Sequence, residues 1–259
     1  EVFKTLIGWL AAVIIIVFIV WFPRGIEFEV LEYETIPYFI FSMEEYQENL
    51  TGYIRMVLTE GSLGETRFEK TVVEEVVLYV GRSLIVIIIA FSIAFIIGTL
   101  KGIFDYITSN NRWSIFGNHT TFTLQAIPDF FMIVIAQFVL LWLISRGFPH
   151  FALFGFEHWY NYLLVGCFLS FFPTLYMTRI VSAALMKENG QPYLITAKSK
   201  GLNSFHVLLK HQLRNGWYQV IPHLTTTMLY VLSNLLIIEY LMYFRGAGFR
   251  LYQALGFAE

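Results

Sequence analysis

Long uncharged apolar runs are the feature that most restricts what this chain can fold into. Positions 5–23 and 83–100 carry no charge, and 119–145 is interrupted only by Asp129. Two further runs, 158–178 and 215–238, end at Arg179 and Glu239. A hydrocarbon core about 30 Å thick is crossed by roughly 20 helical residues rising about 1.5 Å each. Five stretches therefore qualify or come close as membrane spans. Backbone groups in lipid find no water to bond, so helices are the expected form and no alternating strand pattern is expected.

Composition agrees. The chain is 57% hydrophobic and 14% charged, with mean hydropathy +0.62, against about 25% charged in a soluble domain. The single cysteine, Cys167, lies in an apolar run as a small packing residue, which excludes both a disulfide framework and a cysteine metal site. The first run is too long for a signal-peptide core and lacks a small-residue cleavage site, so it is expected to be a retained helix.

Charge sets an expected orientation. Between 24 and 79, glutamates such as Glu27, Glu29, Glu44, Glu48, Glu69 and Glu74 outnumber Arg24, Arg55, Arg67 and Lys70. From 179 to 214 the balance reverses, with Arg179, Lys187, Lys198, Lys200, Lys210 and Arg214 against Glu188. Positive loops stay in the cytoplasm. That places the N-terminus inside, 24–79 outside and 179–214 inside. Trp21, Trp142 and Trp159 then mark outer helix ends, while Trp113 and Trp217 mark inner ones. Residues 33–46 and 69–80 mix apolar and charged positions at helical spacing, so the acidic segment is expected to be a partly helical cap, the alternative being a solvated loop. The chain divides into 1–23, a first transmembrane helix; 24–79, the acidic segment; and 80–259, a core holding a cytoplasmic segment over 186–214.

Catalytic signatures are missing. There is no GxxxxGK[ST] phosphate cradle and no HExxH. The six histidines are scattered, and His206 and His211, five apart, share a helix face poorly. The chain is expected not to be an enzyme and to hold no metal or cofactor. Its 187–214 cations are explained by topology without nucleic acid.

The segment between the fourth and fifth runs has internal order. Pro192 suits a helix start, good helix formers follow to Lys200, and Gly201 breaks the helix. A new turn begins at Leu202-Asn203-Ser204-Phe205, with Asn203 or Ser204 as cap. An amphipathic run, 206–214, leads into the fifth span. A short stiff helix at a membrane face is a natural docking lever.

Ala197-Lys198-Ser199-Lys200-Gly201-Leu202, followed by Leu208-Leu209-Lys210-His211-Gln212-Leu213-Arg214-Asn215, resembles the EAA signature of ABC importer permeases, in its peptide/nickel branch. Glu60-Gly61-Ser62-Leu63-Gly64, Ile127-Pro128-Asp129-Phe130 and Glu239…Gly246-Ala247-Gly248-Phe249 are similar to that branch's GxFG, LPxF and E…PGLG stretches. The resemblance covers about 60–259 in order. Departures fall at Ile195, where the signature has Glu, and at Gln219 and Arg245, where the branch has proline.

The resemblance implies an all-α integral membrane bundle of the type I ABC importer kind, with a sixth helix expected beyond Glu259. It implies a coupling helix at Tyr193, Ala197, Lys200, Gly201, Leu202, Asn203 and Phe205, backed by Arg214. Leu202 and Phe205 would fill an ATPase groove; Lys200 and Arg214 would pair with its carboxylates or serve as positive anchors. Implied partners are a second homologous permease subunit, two ABC ATPase subunits that bind ATP and Mg, an extracytoplasmic substrate-binding (lipo)protein and the lipid bilayer. Asp129, beside a Pro128 kink, would lie on the translocation path or pack between helices. Glu239 would be structural or an outer gate, and Gly246 and Gly248 a loop motif. Rival expectations are a non-transporting sensor subunit and a secondary transporter.

Overall fold

A computed structural model of the chain describes residues 2–20, 26–31, 34–39, 42–66, 71–109, 111–148 and 152–256. Trp21, Arg24, Arg67, Glu69 and Lys70 lie outside the described residues. The chain divides into two compact units, 1–77 with 253–259, and 78–252.

In the first unit, α1 (Val2–Val20) is a 19-residue helix over most of the first apolar run. The acidic segment holds β1 (Ile26–Leu31) paired antiparallel with β2 (Glu34–Phe39), Ile26 opposite Phe39 and Leu31 opposite Glu34. The hairpin corrects the expectation that strand patterns are absent. Ile26-Glu27-Phe28-Glu29-Val30 alternates with the two-residue period of a strand. Helix α2 (Met43–Glu60) follows, and the Tyr46 hydroxyl donates to the Phe18 carbonyl at 3.2 Å. Of the two stretches expected at helical spacing, the first holds strand β2 over Glu34–Phe39, and α2 lies mostly between them.

The second unit carries the helical core. Helix α3 (Val72–Thr108) lies in it from position 78 onward. Then come α4 (Asn118–Gln125), α5 (Asp129–Ser145) and α6 (Trp159–Glu188). After α7 (Pro192–Ser199) and α8 (Ser204–Val207), a π-helical turn over Leu208–Gln212 leads into α9 (Leu213–Val220), α10 (His223–Leu241) and α11 (Ala247–Gly256). Among the described residues, three helices, α3, α6 and α10, are each long and apolar enough to cross a membrane, against the five spans expected. The α4–α5 pair passes the same test only together, bent by 111°.

That bend corrects the expectation of a single third span over 119–145. Pro128 caps α5 in extended geometry, φ −56° and ψ 136°; a proline has no N–H to continue the α4 ladder. The fifth run is also divided. Helix α9 ends at Val220 and α10 starts beyond Pro222, yet Ile221 and Pro222 keep right-handed helical angles. Glu239 does not stop that run, since α10 continues to Leu241. Pro173 sits inside α6. Beside it, the Thr174 and Thr178 hydroxyls donate to the Ser170 and Thr174 carbonyls at 2.7 and 2.8 Å.

Glycines set the packing of α3 on α6. A Cβ at Gly98 would stand 2.6 Å from the Met177 Cβ, and one at Gly102 only 2.8 Å from the Thr178 carbonyl. From the α6 side, a Cβ at Gly166 would stand 2.5 Å from Ile89. Residue numbers rise together along the seam, so the two helices run parallel, backbone close to backbone, as small residues permit in membrane bundles. Helix α10 runs antiparallel to α6, with Tyr176 on His223 and Phe172 on Tyr230. Val86, Val165, Leu169, Val231 and Ile238 fill the core between them. Cys167 faces outward, correcting its expected packing role.

Candidate functional site

Two places gather the polar residues that the sequence singles out. One is the elbow between α6 and α10. Helix α7 opens on Pro192 and closes at Lys200, and Gly201 follows at φ +78° with open space around it. That left-handed angle is the ordinary way to end a helix, and glycine adopts it without a Cβ penalty. Asn203 then caps α8, its Oδ1 accepting from the Phe205 N–H at 3.0 Å. Of the two caps expected, Asn203 is the one used.

The elbow has its own small core. Leu194, Ala197 and Val207 are buried together, with Tyr193 packed alongside. Ala197 therefore turns inward, whereas Lys200, Gly201, Leu202, Asn203 and Arg214 are exposed and Phe205 is 60% exposed. Ile195 is exposed as well. The outward face thus carries apolar Ile195, Leu202 and Phe205 beside the cations Lys198 and Lys200. A groove of about 520 Å³ opens between this face and the helix ends, lined by Tyr106, Lys198, Asn203, Phe205, Leu208 and Gln212.

The elbow is tied down by a residue that the sequence does not single out. Gln212 is buried in the π turn, and its Nε2 donates to the Tyr106 hydroxyl at 2.8 Å and the Leu185 carbonyl at 2.7 Å. A buried amide must find partners, so Gln212 fixes the turn to α3 and α6. Its signal in the sequence is slight: one amide at helical spacing from Leu208.

The second place is a carboxylate knot. Glu239 is fully buried in α10, accepts from Ser83 Oγ of α3, and accepts from the Phe249 N–H at 2.9 Å. Ser83 Oγ also accepts from the Ala247 N–H at 2.7 Å. The turn that brings Ala247 back passes through Tyr243, a non-glycine at φ +54°, with the Phe244 N–H bonded to the Glu239 carbonyl at 2.8 Å. Gly246 and Gly248 abut the carboxylate: a Cβ at Gly246 would collide with Oε1, and one at Gly248 would stand 2.8 Å from the Leu236 Cα. Glu239, Gly246 and Gly248 are thus brought together. Arg245 spreads over the Phe156 ring at 5.3 Å, beside Arg82 at 4.2 Å.

Pro128 and Asp129 stand apart from both places. Pro128 is exposed at the bend; the Asp129 side chain lies outside the described residues. At the other end of α3, Asp105 is buried and paired with Lys101, and it accepts from Thr121 Oγ1 at 2.7 Å. Lys101 Nζ also donates to the Phe116 carbonyl at 3.2 Å. This network fastens the entry of α4 to α3.

Residues 94–257 match the family of binding-protein-dependent transport system inner membrane components. The chain belongs to that family. It is 33% identical over 76 residues to the dipeptide transport system permease protein DppB of Bacillus subtilis, covering 29% of this chain and 25% of that one. It is 26% identical over 207 residues to a putative peptide permease protein of Brucella ovis, covering 75% of this chain and 64% of that one. To the glutathione transport system permease protein GsiC of Escherichia coli K12 it is 27% identical over 94 residues, 36% of this chain and 31% of that one. The chain thus spans less than two thirds of the length of these relatives.

Proposed function

We propose that this chain is the transmembrane permease subunit of an ATP-driven importer for peptides or a related small solute such as nickel or a metal chelate. It forms the translocation path with a second homologous permease subunit. Two separate ABC ATPase subunits hydrolyse ATP with Mg, and an extracytoplasmic binding protein delivers the cargo. The N-terminus lies in the cytoplasm, and 192–207 projects there as the coupling elbow.

The observation that carries this is the elbow's outward face. A packed underside of Leu194, Ala197 and Val207 supports exposed Leu202 and Phe205 beside Lys198 and Lys200. Exposed apolar residues on a rigid support fit a partner's groove, and flanking cations fit its carboxylates. Closure of the ATPases would push the elbow as a body and tilt the helices attached to it. The relatives' names, as dipeptide, peptide and glutathione permeases, favour a peptide cargo.

Replacing Leu202 and Phe205 together by Asp tests the docking. Co-purification with the ATPases is expected to fall about tenfold or more, as for buried interface anchors, while membrane insertion is unchanged. Undiminished co-purification would overturn the assignment.

A further inference from the structure

Besides the chain itself and the Gln212 bonds, a tyrosine hydroxyl joins the elbow to its flanking helices. Chain continuity alone is loose there. Gly190, at φ +83°, links α6 to α7, and Gly201, at φ +78°, links α7 to α8; a Cβ at either would meet nothing within 4 Å. Two open glycine joints would let α7 swing. Against this, Tyr193 in the first turn of α7 donates from Oη to Glu188 Oε2, at the end of α6. The second oxygen of Glu188, Oε1, accepts from Gln219 Nε2 of α9 at 2.8 Å. Gln219 stands where the resemblance implies proline, so α9 gains both an uninterrupted turn and a donor that reaches α6.

We propose that the Tyr193 hydroxyl is a positioning group that locks α7 to α6 and α9, so that the elbow and both helix ends move as one body. The lock rests on these bonds alone; its role in passing force to the spans rests on the permease function proposed above. The competing account is that the small core of Leu194, Ala197 and Val207 already holds α7, which makes the hydroxyl dispensable. Tyr193→Phe separates the two, because it keeps the packed ring and removes only the oxygen.

The test uses the full chain in lipid nanodiscs with Cys167→Ser and spin labels on Ser199→Cys and Tyr218→Cys, both at exposed positions of α7 and α9. A control pair, Leu163→Cys and Leu232→Cys, reports on α6 and α10. Tyr193→Phe, and separately Glu188→Ala, are expected to raise the displaced α7 population about fivefold, the shift that losing one hydrogen bond produces, with the control pair unchanged. A narrow α7–α9 distribution in both variants overturns the lock. In the assembled transporter, Tyr193→Phe is expected to lower the ratio of solute transported to ATP hydrolysed. An unchanged ratio overturns force transmission through Tyr193. Absence of ATPases from the wild-type complex overturns the permease function while the spin-label result on the lock stands.

Discussion

The elbow and the carboxylate knot both depend on glycine, for opposite reasons. At Gly201 the backbone needs a left-handed angle and nothing crowds the site. At Gly246 crowding is the whole requirement, since any side-chain carbon would collide with Glu239 and Ser83. The elbow presents its residues outward on a small packed base, whereas the knot turns a charged-type side chain inward and satisfies it with Ser83 and the Phe249 N–H. A surface made to meet a partner tolerates local change. A buried polar group with fixed partners does not.

Substitutions sharpen that contrast. The largest effect is expected from Gly246→Ala, because the added carbon displaces the carboxylate in a site with no room. A loss of about 3 kcal/mol or more follows from overpacking plus broken polar contacts, read as a collapse of folded yield or of the thermal midpoint in detergent. Ser83→Ala comes next. It leaves the Ala247 N–H and one Glu239 oxygen without their partner, at about 1–3 kcal/mol, and the same midpoint measures it. Gly201→Ala is expected to cost only about 1 kcal/mol, through backbone angle alone, with Gly201→Asn closer to wild type. Equal losses at Gly201 and Gly246 would break the comparison.

The smallest effect concerns pH. Burial pushes the Tyr193 hydroxyl above the ordinary tyrosine range, and its bond to Glu188 adds to this. A group whose folded pKa is raised contributes stability that is fully present below its unfolded value, about 10 for tyrosine, and lost as pH rises through the folded value. The α7–α9 distance is therefore expected to stay constant from neutral pH to about 10 and to loosen only above it. Loosening already near neutral pH would contradict the bond.

The elbow is legible in the sequence because its signals are local. Pro192, Gly201 and Asn203 act within a turn of their own positions, and the structure uses each as the sequence predicts. Apolar length likewise locates the helices. What stays hidden depends on residues far apart. Ser83 and Glu239 are 156 positions apart, and nothing near either one names the other. Glu188 reads as a lone acid in a basic segment, and only folding brings Tyr193 and Gln219 to it. The third run reads as continuous because apolar length carries no direction, so the turn at Pro128 leaves no mark on its hydropathy. The hairpin is written in the alternation of 26–30, but glutamates weighed only as charge conceal that period.

The glycine seam between α3 and α6 has a consequence for motion. Met177, Val181 and Ile89 each stand where a side chain of the facing glycine would be, so sliding one helix along the other drives them against a neighbouring turn. A seam keyed in this way makes the pair a plate rather than two rods.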